Sequence, residues 1–221
     1  MPITLSSFIF KFLLGLGHQY LWKCGIEHND ISVSNLMFKK GENFIAGVLN
    51  DFDLAHVNGN TRPSGTARTG TMPFMALDLL TEGAWAGRVE RLYRHDCESF
   101  AWVLLWICYR YDNGKEIEYP PLSEFLTSSF LECYRNKLAV DQITTNKLPT
   151  ESYRKFGPAV SKLINHFLHR RLEVSNIIHI TKYEEKDNDD ALVKESENED
   201  DAVAKELKGV LKTAGFGDVE L

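Results

Sequence analysis

The chain has 221 residues, of which 43% are hydrophobic and 11% aromatic, and it carries a formal net charge of -6 at pH 7. These values suit a single globular domain with a sizeable core and exclude wholesale disorder. The four cysteines are widely spaced and form no Cys-x-x-Cys pair, so we expect reduced thiols in an intracellular protein, either cytoplasmic or nuclear.

The distribution of charge predicts where the folded domain ends. Residues 184–221 carry 13 acidic and 5 basic residues, whereas the preceding part of the chain has a net charge of +2. Acidic runs repel themselves and have little apolar surface to bury. We therefore predict a domain over residues 1–183 and an acidic, disordered tail over residues 184–221.

Neither a membrane nor a nucleic acid is an expected partner. No uninterrupted apolar run approaches the roughly 18 residues that a membrane-spanning helix needs. The sequence also has no stripe of basic residues with interleaved aromatic residues, which is typical of nucleic-acid binding. We expect a soluble protein.

The first elements along the chain are a helix and a β-hairpin. Apolar residues at spacings of three and four predict an amphipathic helix over about residues 4–22, followed by a loop at Gly25. The face that we expect to be buried consists of Leu5, Phe8, Ile9, Phe12, Leu13, Leu16 and Tyr20. Two short apolar runs, residues 36–38 and 44–49, are separated by a turn and predict the hairpin.

A long loop and three further helices follow. Residues 58–70 hold three glycines and a proline without periodicity, which predicts a loop. Residues 99–108 are apolar on every side, as expected for a helix surrounded by protein. Apolar stripes over residues 122–134 and 156–168 predict helices that cover the core.

The residues with the clearest chemical meaning lie on either side of the hairpin. His28-Asn29-Asp30-Ile31-Ser32-Val33-Ser34-Asn35 precedes it and Asp51-Phe52-Asp53 follows it. Phosphoryl transfer needs a carboxylate that orients the attacking hydroxyl and accepts its proton, and oxygen ligands that hold Mg²⁺ against the nucleotide phosphates. Asp30 fits the first role, and Asn35 and Asp51 fit the second. We expect the loop to bring Asp30 beside Asn35 and the hairpin to return Asp51 to the same place.

This order and spacing resemble the protein-kinase superfamily, whose catalytic loop reads His-Arg-Asp-x-x-x-x-Asn and whose metal motif reads Asp-Phe-Gly. Residues 70–78 have the spacing of the segment that ends in the kinase Ala-Pro-Glu, and Asp96 looks like the aspartate that supports the catalytic loop. The runs Asp-Phe-Asp-Leu-Ala, Arg-Thr-Gly-Thr-Met-Pro-Phe-Met-Ala and His-Asp-Cys-Glu-Ser-Phe are most similar to the fungal-type protein kinases. The resemblance covers about residues 5–170.

The resemblance implies a mainly α fold with a small β-hairpin, corresponding to a kinase C-terminal lobe without the β-rich N-terminal lobe. It also implies phosphoryl transfer from ATP, with Mg²⁺, to serine or threonine hydroxyls of a protein substrate. The catalytic residues would be Asp30, Asn35 and Asp51, of which Asn35 and Asp51 would bind metal and nucleotide. Structural support would come from His28, Phe52, Thr71 and Asp96.

Several positions depart from the kinase pattern. Asn29 replaces the arginine that receives an activation-loop phosphate in many kinases, so we do not expect that form of switching. Ser32 replaces a lysine near the transferring phosphate, which removes positive charge from the transition state. Asp53 replaces the glycine of the metal motif, where it has either a structural role or contact with metal. One assignment stays open: Thr71 either bridges to Asp30 or is a plain turn threonine. For His28, we expect packing on Phe52 rather than a role as a base.

The sequence also supports rival functions. We find neither a glycine-rich phosphate loop nor a strand-borne nucleotide lysine in it, so we expect a truncated form that is inactive without a separate or missing N-terminal lobe. One alternative is a non-catalytic kinase-like module that binds partners. Another is a small-molecule phosphotransferase of the aminoglycoside or choline type. The segment 70–78 weighs against the latter, because those enzymes have no comparable peptide-positioning segment.

Overall fold

The described residues of the first part of the chain form one helix and two small sheets. The computed structural model describes residues 16–40, 45–57 and 70–184. Its first elements are α1 (Leu16–Lys23), β1 (Ile26–Glu27), β2 (Leu36–Lys40), β3 (Ile45–Leu49) and β4 (His56–Val57). The turn after α1 contains Gly25, whose φ of 76° suits glycine, and the loop predicted there is confirmed.

The hairpin predicted from the two apolar runs is confirmed. Strands β2 and β3 pair antiparallel, from Leu36 opposite Leu49 to Lys40 opposite Ile45. At the open end of the hairpin, the N–H of Asn50 donates to the carbonyl oxygen of Asn35 over 2.9 Å. The residues that precede and follow the hairpin are therefore neighbours.

The second part of the chain is mainly helical. Its helices are α2 (Glu82–Trp85), α3 (Tyr93–Arg110), α4 (Phe130–Leu138), α5 (Val140–Asn146) and α6 (Gly157–Glu184). Short 3-10 helices span Met72–Phe74, Leu77–Leu80, Ser123–Phe125 and Glu151–Phe156, and strands β5 (Tyr111–Asp112) and β6 (Lys115–Glu116) form a two-stranded sheet. A mainly helical fold with small antiparallel strand pairs agrees with the predicted fold class.

Helix α3 is the centre of the hydrophobic core. Every residue from His95 to Arg110 is buried, which confirms the helix surrounded by protein that the apolar run predicted. Trp102 packs edge-on against Phe125, with ring centroids 5.9 Å apart, and Phe156 lies in the same core. A fully buried phenylalanine side chain contributes about 1.5–3 kcal/mol to stability. The core therefore holds α3 rigidly beneath the loops of the site.

Two sequence predictions differ from the structure. Tyr20, expected on the buried face of α1, is 67% exposed, while His18 and Trp22 face the core. Residues two apart on a helix point in opposite directions, and ring contacts with Tyr93 fix which face is inward. The stripe over residues 122–134 is divided between the 3-10 helix Ser123–Phe125 and α4, because the backbone leaves helical geometry at Leu126, with a ψ of 63°, and at Ser129, with a ψ of 120°.

Some predictions lie outside the described residues. These are the first part of the N-terminal helix, most of the loop over residues 58–70 and almost all of the acidic tail, so the boundary at residue 183 stays a prediction. Among the helices that the structure describes, none has both the length and the apolar character needed to cross a membrane.

Candidate functional site

Asp30 lies at the centre of a hydrogen-bond network in the loop between β1 and β2. Its Oδ1 accepts the backbone N–H of Thr71 over 2.7 Å and the Thr71 hydroxyl over 2.8 Å. Its Oδ2 accepts the side-chain amide of Asn35 over 3.0 Å. The carboxylate is therefore fixed in orientation by partners from its own loop and from a segment about 40 residues away. Thr71 was expected either to bridge to Asp30 or to be a plain turn threonine, and the bridge is present in the structure.

Asn35 is buried and its amide orientation follows from its partners. Nδ2 donates to the Asp30 carboxylate and also to the Asp30 backbone carbonyl, over 2.9 Å. The amide oxygen Oδ1 consequently points away from Asp30, with the Ser34 hydroxyl 3.4 Å away. An amide oxygen held in this way is a hard ligand suited to a divalent cation such as Mg²⁺.

Asp51 follows the hairpin and is exposed. The hydrogen bond between the backbones of Asn50 and Asn35 brings it next to the loop that holds Asp30 and Asn35. Its left-handed φ of 62° is a conformation that aspartate tolerates better than most residues. The Asp53 backbone N–H donates to Asp51 Oδ1 over 3.4 Å, which gives Asp53 a local structural contact. Asp51 thus presents a solvent-facing carboxylate beside Asn35.

The donors at Asn35 and Asp51 fit the magnesium that the kinase resemblance implies. Mg²⁺ in phosphotransferases is held by one or two protein groups, and phosphate and water oxygens complete its octahedron. Within the described part of the chain, no cluster of three or more His, Cys, Asp or Glu side chains forms a metal cage. An ion at Asn35 and Asp51 would therefore depend on phosphate oxygens, as expected for a metal that arrives with a nucleotide.

His28 supports the loop from beneath. Its ring packs edge-on against Phe52 with centroids 4.7 Å apart, as expected from the sequence. Nδ1 accepts the N–H of Asp30 over 3.3 Å, so Nε2 carries the proton that is donated to the Asn50 carbonyl over 3.0 Å. Burial lowers the pKa of His28. The neutral ring therefore joins the Asp30 backbone to the strand end next to Asp51.

Asn29 has a structural role in place of the kinase arginine. It adopts a left-handed φ of 69°, for which asparagine is well suited, and its side-chain amide donates to the Leu54 carbonyl over 3.1 Å. Its own carbonyl accepts from Arg91 over 2.8 Å. Ser32, at the position of the kinase lysine, is buried and its hydroxyl pairs with that of Ser34 over 2.9 Å.

Asp96 is connected to the loop between β1 and β2 through an arginine. This buried carboxylate contacts His18 Nε2 at 3.0 Å and Arg91 at 3.3 Å, and Arg91 in turn binds Asn29. Burial alone would raise the pKa of Asp96, but the hydrogen bond from His18 and the charge of Arg91 outweigh it and hold the pKa well below its usual range. The arginine side chain is long enough to contact both the Asp96 carboxylate on α3 and the Asn29 carbonyl in the loop.

Sequence reasoning missed His18 and Arg91. Polar residues are assigned to solvent by default, and both His18 on α1 and Arg91 in the loop before α3 are buried. The only available signal was the spacing of four residues between His18 and Trp22, which places them on one helix face.

The segment from Gly70 to Leu80 closes the site on the side of Thr71. Gly70 has a φ of 135°, and a Cβ there would lie 3.1 Å from the Asn29 carbonyl oxygen, so both backbone geometry and space require glycine. At the other end, Asp78 forms ion pairs with Arg94 at 2.8 Å and Arg171 at 2.9 Å. Burial alone would raise the pKa of Asp78. The hydrogen bond with His95 and the charges of both arginines outweigh burial and lower the pKa below its usual range, so the carboxylate stays ionised.

The comparison with protein families agrees with the motifs. Residues 16–108, less than half of the chain, match the model of the family described as fungal protein kinase. That range contains the loop with Asp30 and Asn35, the hairpin, the run from Asp51 to Asp53 and the segment from Gly70 to Leu80. The resemblance to fungal-type protein kinases is confirmed over these residues. No curated protein matches the chain.

Proposed function

We propose, starting from the match to the fungal protein kinase family, that this chain is the C-terminal lobe of a protein kinase that phosphorylates serine or threonine hydroxyls of proteins. The observation that carries the proposal is the orientation of the Asp30 carboxylate by Asn35 and Thr71. A base must be aimed at the attacking hydroxyl before its protonation state matters.

The hydrogen bonds at Asp30 indicate which oxygen meets the substrate. A carboxylate has about four acceptor positions, two on each oxygen. Thr71 donates twice to Oδ1, whereas Oδ2 receives one donor, from Asn35. Oδ2 therefore has an acceptor position left for a substrate hydroxyl. Asp30 would orient that hydroxyl toward the γ-phosphate of ATP and accept its proton as the O–P bond forms.

Asn35 and Asp51 would hold the magnesium of an Mg²⁺–ATP complex through Asn35 Oδ1 and the Asp51 carboxylate. The bound ion supplies positive charge against the phosphate oxygens. Asn35 also donates to Asp30, so one side chain couples the base to the metal position. This arrangement supports catalysis more than a purely partner-binding role, for which Asp30 would not need a fixed orientation.

The apolar surface around the metal motif supports a second lobe as partner. Met37 and Val48 are directly paired on the hairpin and are 50% and 40% exposed. Phe52, Leu54 and Val57, in the residues that follow the hairpin, are also at least 40% exposed. Adjacent exposed apolar residues are typical of interaction sites. We propose that a nucleotide-covering lobe, separate or part of a longer form of the protein, packs here.

The acceptor class is tested by offering competing substrates to a form of the protein that carries both lobes. Phosphate transfer from labelled ATP would be measured on a generic protein, on aminoglycosides and on choline. We expect transfer to serine and threonine of the protein. Transfer to the small molecules alone would identify the aminoglycoside or choline class instead, and nucleotide-independent capture of a protein without transfer would identify a binding module.

A further inference from the structure

A fully buried lysine connects helix α4 to the segment from Gly70 to Leu80. Lys137 has 0% relative exposure, and its ammonium group donates to the backbone carbonyl of Met75. The ammonium also lies 4.4 Å from the ring centroid of Trp102. Lysine is almost never fully buried unless it is paired, so this placement needs a reason.

Glu98 on α3 makes the matching contact. Its Oε1 accepts the backbone N–H of Leu77 over 2.8 Å and the indole N–H of Trp102 over 3.0 Å. Two buried side chains of opposite charge, from two helices, thus bind the carbonyl of Met75 and the amide of Leu77. We call this pair, Glu98 and Lys137, the segment clamp.

The Met75 carbonyl and the Leu77 N–H make no backbone–backbone hydrogen bond within the described segment. Met75 and Leu77 are buried, at 2% and 0% exposure, where an unpaired carbonyl or amide is costly. Met75 follows the 3-10 helix Met72–Phe74, and Leu77 is the first residue of the next one, so the Met75 carbonyl and the Leu77 N–H stand at helix ends that make no intrahelical bond through them. The side chains of the clamp therefore determine where this stretch of backbone lies.

The clamped stretch is tied to Thr71 by consecutive turns. The N–H of Phe74 donates to the Thr71 carbonyl over 2.8 Å, and that of Met75 donates to the Met72 carbonyl over 3.2 Å. The thiol of Cys133, one turn before Lys137 on α4, also contacts the Met72 carbonyl at 3.6 Å. A shift of Met75 is consequently transmitted through one tight turn to the residue that binds Asp30.

We propose that Glu98 and Lys137 are positioning residues that fix the segment from Gly70 to Leu80 and thereby hold Thr71 on the Asp30 carboxylate. The effect of the clamp on catalysis rests on the proposed kinase function. Its effect on the position of the segment and of Thr71 does not. The clamp touches neither substrate nor nucleotide and acts only through the backbone of the segment. Two polar side chains are needed at these buried positions because apolar side chains cannot bind a carbonyl and an amide.

Two titratable groups outside the clamp face it, one from the segment and one from α4. Asp78 of the segment lies near Glu98, and Cys133 of α4 lies near Lys137. Burial raises the pKa of Glu98 and lowers that of Lys137. Both shifts favour the neutral forms, so the two groups respond to pH nearer neutrality than their exposed counterparts.

Amide hydrogen exchange of the 221-residue chain tests the clamp without requiring activity. Lys137→Met keeps the apolar stem and removes the donor, and Glu98→Ala removes the acceptor. We expect amides 71–79 to exchange roughly tenfold faster or more in each variant, with α3 unchanged, because local opening is governed by local contacts. Glu98→Gln, which keeps an acceptor oxygen, should stay close to the wild type.

Lys155→Met is the matched control. Lys155 is an exposed lysine whose ammonium also lies over an aromatic ring, 4.8 Å from the Phe156 centroid. Its replacement should leave the exchange of amides 71–79 unchanged. Unchanged exchange in both Lys137→Met and Glu98→Ala, or a uniform increase over the whole domain, would overturn the proposal.

Kinetics of a two-lobed form separate this inference from the proposed function. If the wild type transfers phosphate, Lys137→Met should lower kcat about tenfold or more and leave the KM for ATP unchanged. An unchanged kcat despite faster exchange would overturn the positioning role. If the wild type transfers no phosphate, the proposed function fails, and the exchange measurement still decides whether the clamp fixes Thr71.

Discussion

Thr71 donates both its backbone N–H and its hydroxyl to one oxygen of the Asp30 carboxylate, over 2.7 Å and 2.8 Å. The two residues are 41 positions apart in the chain, so their contact joins the catalytic loop to the segment from Gly70 to Leu80. Among the described residues, Asn35 is the one donor to Asp30 Oδ2, which keeps an acceptor position open. The geometry of the proposed base thus depends on a residue that does not itself take part in proton transfer.

Replacing Thr71 by valine should slow phosphoryl transfer while the fold is kept. Thr71→Val preserves the shape and the backbone donor but removes a hydroxyl hydrogen bond to a charged group, worth about 1.5–3 kcal/mol. We expect kcat of a two-lobed form to fall about 10- to 100-fold, with rescue in Thr71→Ser. Equal kcat values for the valine and serine variants would show that the hydroxyl does not orient Asp30.

Asn35→Ala and Asp51→Ala should weaken nucleotide binding only when Mg²⁺ is present. Each substitution removes an oxygen ligand, and Mg²⁺ links the protein to the phosphates. ATP affinity would be measured by calorimetry with Mg²⁺ and with EDTA, using Asp53→Ala as the neighbouring control. The assignment is wrong if wild-type affinity is the same with and without Mg²⁺.

Asp96→Asn should reduce stability at neutral pH and have less effect in acid. The pKa of Asp96 lies well below its ordinary value of 3.8 in the folded protein, so ionised Asp96 stabilises the fold above about pH 4. That stabilisation is lost as the pH falls through the folded-state pKa. The difference in unfolding free energy between wild type and Asp96→Asn, from urea titrations, should therefore shrink from pH 7 toward pH 2. A difference independent of pH would contradict the ionised state.

Glu98→Gln should remove a pH dependence of stability whose sign is opposite to that of Asp96. Burial raises the pKa of Glu98 from 4.5 to about 7, so its contribution to stability is full below pH 4.5 and is lost as the pH rises through 7. Relative to Glu98→Gln, the wild type should gain stability when the pH is lowered from 7.5 to 4.5. Parallel stability curves for the two proteins over this range would show that Glu98 does not titrate there.

The sequence predicted those parts of the site that depend on local order. The hairpin follows from two apolar runs around a turn, and it necessarily brings the residue after it back to the residue before it, which are Asn50 and Asn35. Asp30 and Asn35 meet because a five-residue spacing in a loop permits it. Helix α3 was evident because its apolar residues occupy every face.

The residues that support the site were not predictable in the same way. His18, Arg91 and Lys137 are polar side chains in buried positions, and each finds its partner across 60 or more residues. Periodicity assigns such residues to solvent, and only tertiary packing shows that they are enclosed. The sequence thus indicated Asp96 as a supporting residue, and the structure adds Arg91 as the residue that connects it to Asn29.

Asp30-dependent transfer of phosphate to protein is the most direct test of the central claim. Labelled ATP, Mg²⁺ and a generic protein substrate would be incubated with a form carrying both lobes, with its Asp30→Asn variant and with the 221-residue chain. In Asp30→Asn the new amide donor faces Asn35 Nδ2, and the proton acceptor is lost. We predict transfer by the two-lobed wild type, a loss of about 10² to 10⁴-fold in Asp30→Asn with nucleotide binding retained, and none by the short chain alone. Equal turnover by wild type and Asp30→Asn, or robust Asp30-dependent turnover by the short chain, would contradict the account.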